Sequence, residues 1–222
     1  MSSFPFLCPL LPTNVADTVS LTDHAVDGTA QTTYTFSSKS IGTAANGRLI
    51  VVGAGSINAT ANRTISSLTI GGTSAAQVKF QSTSGGGGFI DVGLYILRVD
   101  IGTTASVVVN WSATQSRCGI GVWAIYNALS ATATATASSV ANPLTASLSI
   151  SANGVAIGYA QAFEATVPTF TWTNLTENFD ETVGTQTGHT GASTSSATSQ
   201  TPTITATPSS LTAGAMVLGS FR

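Results

Sequence analysis

Charge is what this sequence most lacks. Only 7% of its 222 residues are Asp, Glu, Lys or Arg, where an ordinary soluble domain has about 25%. The seven basic residues, Lys39, Arg48, Arg63, Lys79, Arg98, Arg117 and Arg222, are scattered, and the formal net charge is −2. Binding a phosphate backbone requires clustered cations, and attraction to an anionic membrane surface requires the same. The sequence therefore predicts neither a nucleic-acid nor a membrane partner. No run approaches the roughly 18 apolar residues of a spanning helix.

Histidine and cysteine are equally scarce, at two each. A hydrolytic triad needs a nucleophile, a base and an orienting acid in hydrogen-bond reach. His24 has Asp23 beside it, but neighbouring strand residues point to opposite faces, and His189 has no nearby acid in sequence. The nucleophile-elbow pattern is absent. Two Cys and two His without paired spacing make no zinc site. Cys8 and Cys118 set no disulfide framework. Cys118, inside an apolar strand pattern, is expected as a small buried hydrophobe, and a Cys8–Cys118 bridge is the other arrangement open to it. The one acidic cluster, Glu177-Asn178-Phe179-Asp180-Glu181, has neither glycosidase-specific nor calcium-loop spacing. It is expected as a solvated strand end with a turn. These absences predict a protein that is not an enzyme and carries no cofactor or metal. The four Asn-x-Ser/Thr triplets, at Asn58, Asn62, Asn110 and Asn174, carry no message at this Ser/Thr content.

What is abundant is hydroxyl: 28 Ser and 36 Thr stand beside 42% hydrophobic residues. Thr suits the outer face of a strand, its branched Cβ fitting the pleat while its hydroxyl meets water. Strand and turn signals alternate along nearly the whole chain. Thr18 to His24 and Gln31 to Ser38 are expected as a first pair around the turn signal Asp27-Gly28. Arg48 to Ala54 and Cys118 to Tyr126 are continuous apolar runs, the mark of central strands. The glycines 85–88 are expected as a flexible loop tip, lacking the Lys of a phosphate loop. Ala131 to Ala137 alternates Ala with Thr and is expected as one strand. His189 to Gln200 is more polar and is expected as an exposed strand or loop. No apolar stripe of helical period appears. The fold class is all-β, with almost no helix.

The second half repeats the first in outline. Asn153-Gly154-Val155 parallels Asn46-Gly47-Arg48. Leu68 and Leu175 each follow by 22 residues, and both halves close on a small-residue strand, Cys118 to Tyr126 and Ala213 to Phe221. This weak internal duplication suggests two similar sheets face to face, an antiparallel β-sandwich of jelly-roll type. The division expected is an extended N-terminal arm over 1–17 and a sandwich domain over 18–222. The apolar, Pro-punctuated start lacks the cations of a signal peptide. Phe4, Phe6, Leu7, Leu10 and Leu11 make it a candidate arm for docking on another subunit. Among the three tryptophans, Trp172, between Thr171 and Thr173, is the candidate for an exposed, glycan-facing aromatic.

The segments Gly47 to Gly53, Thr64 to Thr73 and Ala105 to Val109 resemble a β-sandwich domain common among tailed-phage structural proteins. Thr171 to Glu177 and Ala215 to Leu218 fit the same pattern, so the resemblance runs from about residue 18 onward. These motifs are strand patterns, and no functional residue transfers with them. The resemblance implies a virion structural protein: a capsid decoration or head-fibre or spike-base protein, or a tail appendage. It would self-associate and contact the major capsid protein or other virion proteins at the particle surface. A carbohydrate-binding module directed at host glycans is the alternative.

Overall fold

The computed structural model describes residues 15–222 as strands and their connections, without helix. In chain order the first half contains β1 (Thr18–Asp27), β2 (Gln31–Ser40), β3 (Leu49–Asn58), β4 (Ile65–Ile70), β5 (Thr73–Ser74), β6 (Ala76–Gly85), β7 (Gly88–Arg98), β8 (Thr104–Gln115) and β9 (Arg117–Tyr126). The second half contains β10 (Ala135–Ser139), β11 (Leu144–Ser147), β12 (Gly154–Phe163), β13 (Phe170–Thr173), β14 (Thr176–Thr182), β15 (Thr187–Ser196), β16 (Thr203–Pro208) and β17 (Ala213–Phe221).

These strands form four antiparallel sheets. An inner sheet of the first half has the order β1-β9-β3-β7-β6, and its outer sheet β2-β8-β4-β5. The second half has an inner sheet β10-β17-β12-β15-β14 and an outer sheet β11-β16-β13. Apart from the two-residue β5, which has no counterpart in the second half, the two halves have the same strand order. The duplicated unit is thus a whole two-sheet sandwich, and not the single sheet that the sequence repeat suggested.

Three apolar cores alternate with the sheets. One fills the first sandwich, with Tyr34, Ile50, Val52, Leu68, Val109 and Ile120. One fills the second, with Leu144, Ala156, Ala160, Phe170, Ile204 and Met216. The third lies between the two inner sheets, where Leu49, Val51, Trp123 and Ile125 meet Ile157, Tyr159, Val217 and Phe221. Successive residues of a strand point to opposite faces, so an inner strand with a core on each side must be apolar throughout. All ten residues of β3 and all nine of β17 are buried. That is why Arg48 to Ala54 and Cys118 to Tyr126 lack alternation, and the central placement expected for both is what the structure has.

The repeat is one residue out of register with the sequence landmarks. Gly47 (φ 77°) and Asn153 (φ 59°) hold the same left-handed turn position. Aligning them sets Leu49 with Val155 and Val51 with Ile157, all facing the core between the halves. Pairing Asn46 with Asn153 would set Leu49 on Ala156, which faces the opposite core. A shift of one reverses every side chain in a strand. Leu175, moreover, lies between β13 and β14, outside any strand.

Other expectations are corrected by the pairing. β1 and β2 do not form a hairpin: β1 pairs with β9 and β2 with β8, in different sheets. Residues 28–30 therefore cross between layers. Glycines 85–88 make a tight two-residue hairpin, with Gly85 opposite Gly88 and Gly86 and Gly87 at φ 56° and 85°. Both central residues at positive φ match the twist of the flanking strands. The turn packs on Thr212 and Phe163. Within Ala131 to Ala137 only Ala135 onward is strand, and the residues before it join the halves. The segment from His189 is the buried strand β15, because it lies between β12 and β14 in an inner sheet.

Arg48 is fully buried, and among the described residues no carboxylate lies at salt-bridge distance from it. It donates to the carbonyl oxygens of Val99 (2.9 Å), Gly42 (2.8 Å), Ile101 (3.0 Å) and Gly102 (2.9 Å). One guanidinium thus ties the loop before β3 to the loop after β7.

Candidate functional site

The seam between the inner sheets holds most of the polar chemistry. Holes in one sheet accept bulk from the other. A Cβ on Gly53 would lie 2.6 Å from the Tyr159 ring, and one on Gly119 would lie 2.6 Å from His189 Nδ1. Trp123, from the first half, packs in turn against Gly191 of the second. In the corrected register Gly53 and Gly55 are the counterparts of Tyr159 and Gln161, so the duplicated positions are complementary in size.

Through these openings the two histidines, 165 positions apart in the chain, reach one carboxylate. His24 Nδ1 on β1 lies 2.9 Å from Glu181 Oε2 on β14. His189 Nε2 on β15 lies 3.3 Å from the same oxygen. Tyr159 Oη is 2.9 Å from His189 Nδ1 and 3.0 Å from the Gly119 carbonyl. Phe179 stacks flat on His24 and meets His189 edge-on. Nearby, Trp123 Nε1 and Ser193 Oγ both donate to Asn178 Oδ1, each at 2.8 Å.

Burial lowers the pKa of His189, against the opposing pull of Glu181. A neutral imidazole that donates from Nε2 to Glu181 presents Nδ1 as an acceptor, and the single Tyr159 hydroxyl proton is then shared between Nδ1 and the Gly119 carbonyl. Glu181 is held at about 2, chiefly by its hydrogen bond from His189 and further by His24, with burial opposing. His189 is 0% exposed and both its ring nitrogens are engaged. The cluster acts chemically as a clasp joining β1 of one half to β14 and β15 of the other. Among the described residues no group of three or more His, Cys, Asp or Glu is placed to hold a metal.

The seam also contains unsatisfied groups. Among the described residues, both polar atoms of the Gln161 amide and the Thr187 hydroxyl are buried without a partner. In the first sandwich, Asp91 accepts from Arg63 N (2.8 Å) and Gln115 Nε2 (3.3 Å) and leaves Oδ1 unpartnered. Burial raises its pKa.

The outer sheets face solvent with hydroxyl ladders. On the second, Thr145 pairs with Thr205 (3.1 Å), Ser147 with Thr203 (3.3 Å) and, just beyond the strands, Ser149 with Thr201 (3.2 Å). On the first, Thr33 donates to Asn110 (2.7 Å), which donates to Ser67 (2.9 Å). No strand of the second outer sheet contains a charged residue, and the first has Lys39 alone.

The sequence-expected residues fall elsewhere. Trp172 is half-buried against the second core, its ring over Gly158 and its Nε1 donating to Thr190 Oγ1 at 2.9 Å. The arm candidates Phe4, Phe6, Leu7, Leu10 and Leu11, with Cys8, lie outside the described residues. Cys118 is free and buried in the first core, as its strand pattern suggested. The acidic cluster is an edge strand: Glu181 joins the clasp, and Asp180 accepts from Phe170 N at 2.8 Å. Sequence reasoning missed the clasp on two counts: the acid of His189 is Glu181, eight residues before it and directly opposite across the β14–β15 pair, and His24 reaches the same carboxylate from 157 residues away. No protein-family model, no curated protein and no solved structure matches this chain.

Proposed function

We propose that this chain is a structural subunit of a larger assembly, a tailed-phage virion protein of the capsid-decoration or head-fibre kind. The observation that carries the assembly reading is the pair of outer sheets almost without charge. Soluble monomers guard sheet edges with Lys, Pro or inward charges. Here β11 and β13 are edge strands of neutral residues. Each has one backbone amide covered by a side chain, Thr145 N by Ser139 Oγ and Phe170 N by Asp180. Their uncharged border suits edge-to-edge or face-to-face contact with another copy. Assignment to a phage particle rests on the sequence resemblance, and so does contact with the major capsid protein. The strand order favours a jelly roll. With β5 and β6 taken as one strand interrupted at Ala75, each sheet of the first half has the succession of an eight-stranded roll. No role in catalysis belongs to this reading.

Light scattering coupled to size exclusion on the full chain, with a mass-spectrometric inventory of native particles, tests it. A stable homo-oligomer that copurifies with virions is expected. A strict monomer absent from purified particles overturns it.

A further inference from the structure

A cleft of about 200 Å³ opens at one end of the seam, lined among others by Ile57, Ser116, Arg117, Phe163 and Gln186. It is bounded by both halves, since Ile57 and Arg117 come from the first inner sheet and Phe163 from the second. Arg117 is the one charged residue in its lining. Among the described residues its guanidinium makes a single hydrogen bond, from Nη1 to the Val183 carbonyl at 3.0 Å, and no salt bridge. Burial already lowers its pKa, so the charge is partly desolvated with most of its five N–H donors unspent.

Behind the cleft wall, outside its lining, lie unsatisfied groups. Phe163 and Thr187 are cross-strand partners, and Gln161 lies two residues deeper on the same face of β12. Thr187 Oγ1 and both polar atoms of Gln161 have no partner among the described residues, and both side chains are 0% exposed. Buried polar groups are normally satisfied by protein or by a bound molecule. One end of this seam therefore has unspent hydrogen-bonding capacity beside an unpaired cation.

We infer that the cleft binds a single acidic sugar residue, a carboxylated pyranose. The carboxylate takes the Arg117 fork, which matches a planar oxyanion in bidentate geometry. The Phe163 ring offers an apolar wall for a pyranose face, and Gln186 and Ser116 are within the lining to meet ring hydroxyls. The volume is below the roughly 300 Å³ at which drug-sized pockets begin, which limits the occupant to one ring. Sulfate and phosphate share the oxyanion chemistry but have no use for the Phe163 wall. The inference does not depend on the phage assignment.

The test is an amide-shift NMR titration of the full chain with glucuronate, glucose and inorganic sulfate in parallel. Glucuronate is expected to shift Arg117, Phe163 and Gln186, with glucose weaker by about tenfold or more, the scale of a lost charge-assisted hydrogen bond. Arg117→Gln should abolish the glucuronate shifts with the remaining spectrum unchanged. Should that variant unfold, Ser116→Tyr, which fills the mouth, should abolish them instead. Sulfate binding as tightly as glucuronate, glucose binding equally well, or no shift with glucuronate at tens of millimolar would each overturn the inference.

Discussion

The fit of Tyr159 into Gly53 allows a quantitative test of how the halves are held. Gly53→Ala places a Cβ 2.6, 2.7 and 2.9 Å from three atoms of Tyr159. The ring cannot swing aside, because its hydroxyl is fixed by the Gly119 carbonyl at 3.0 Å and His189 at 2.9 Å. Overpacking of this kind costs about 1–3 kcal/mol, and the fixed ring places Gly53→Ala toward the upper end. Tyr159→Ala alone opens a cavity and should cost about 3–5 kcal/mol, as large aromatic truncations do. In that background the clash is gone, and Gly53→Ala should gain about 0.5–1 kcal/mol, the ordinary advantage of Ala over Gly within a strand. The two substitutions should therefore couple by about 2.5–4 kcal/mol, the cost in one background added to the gain in the other. Urea unfolding of the wild type, both single variants and the double variant measures this directly. Equal effects of Gly53→Ala in both backgrounds, to within about 0.5 kcal/mol, would refute the reasoning.

Arg48→Met keeps the aliphatic stem but strips the donors from four carbonyls. Water reaching the loops recovers part of the loss, leaving about 2–4 kcal/mol of destabilisation. A lower thermal midpoint and faster hydrogen exchange at residues 99–103 are expected, and an unchanged midpoint would count against the clamp. The clasp predicts an acid limb. Glu181 falls from 4.5 to about 2 on folding, so its contribution is complete above pH 4.5 and is lost as pH drops toward 2. With the side chain a third exposed, solvent screening reduces that contribution to about 1–2 kcal/mol. His189, lowered from 6.5, adds a loss that begins as pH falls below 6.5, where the unfolded state takes up the proton. Glu181→Gln should flatten the limb below pH 4.5 in urea titrations, and a limb of unchanged slope would exclude Glu181 as its source.

The sequence showed the layers better than the connections. A continuous apolar run can only be a strand covered on both faces, so β3 and β9 were recognisable as central. The duplication was visible too, but its register was not. Asn-Gly recurs where the chain turns into β3 and again into β12, while the left-handed position falls on Gly47 in the first turn and on Asn153 in the second. The polarity of β15 misled because composition does not reveal which strands flank a segment. Its small Gly188, Gly191 and Ala192 are in fact the mark of a close neighbour on each side. Half of the clasp is local, since Glu181 and His189 are eight residues apart and opposite each other on consecutive strands, but His24 is 157 residues from Glu181, and only sheet order brings it in. Arg117 is similarly silent in sequence, one scattered cation among seven.

The size complementarity across the seam decides which pairings of the halves are possible. Two copies of the first half, brought together as the halves are now, would set glycine against glycine and leave voids. Two copies of the second would drive Tyr159 into its own counterpart. Neither half, with the side chains it has at these positions, can pair with a copy of itself as it pairs with the other. What remains is in effect a heterodimer on one chain, and either half expressed alone would lack its only fitting partner.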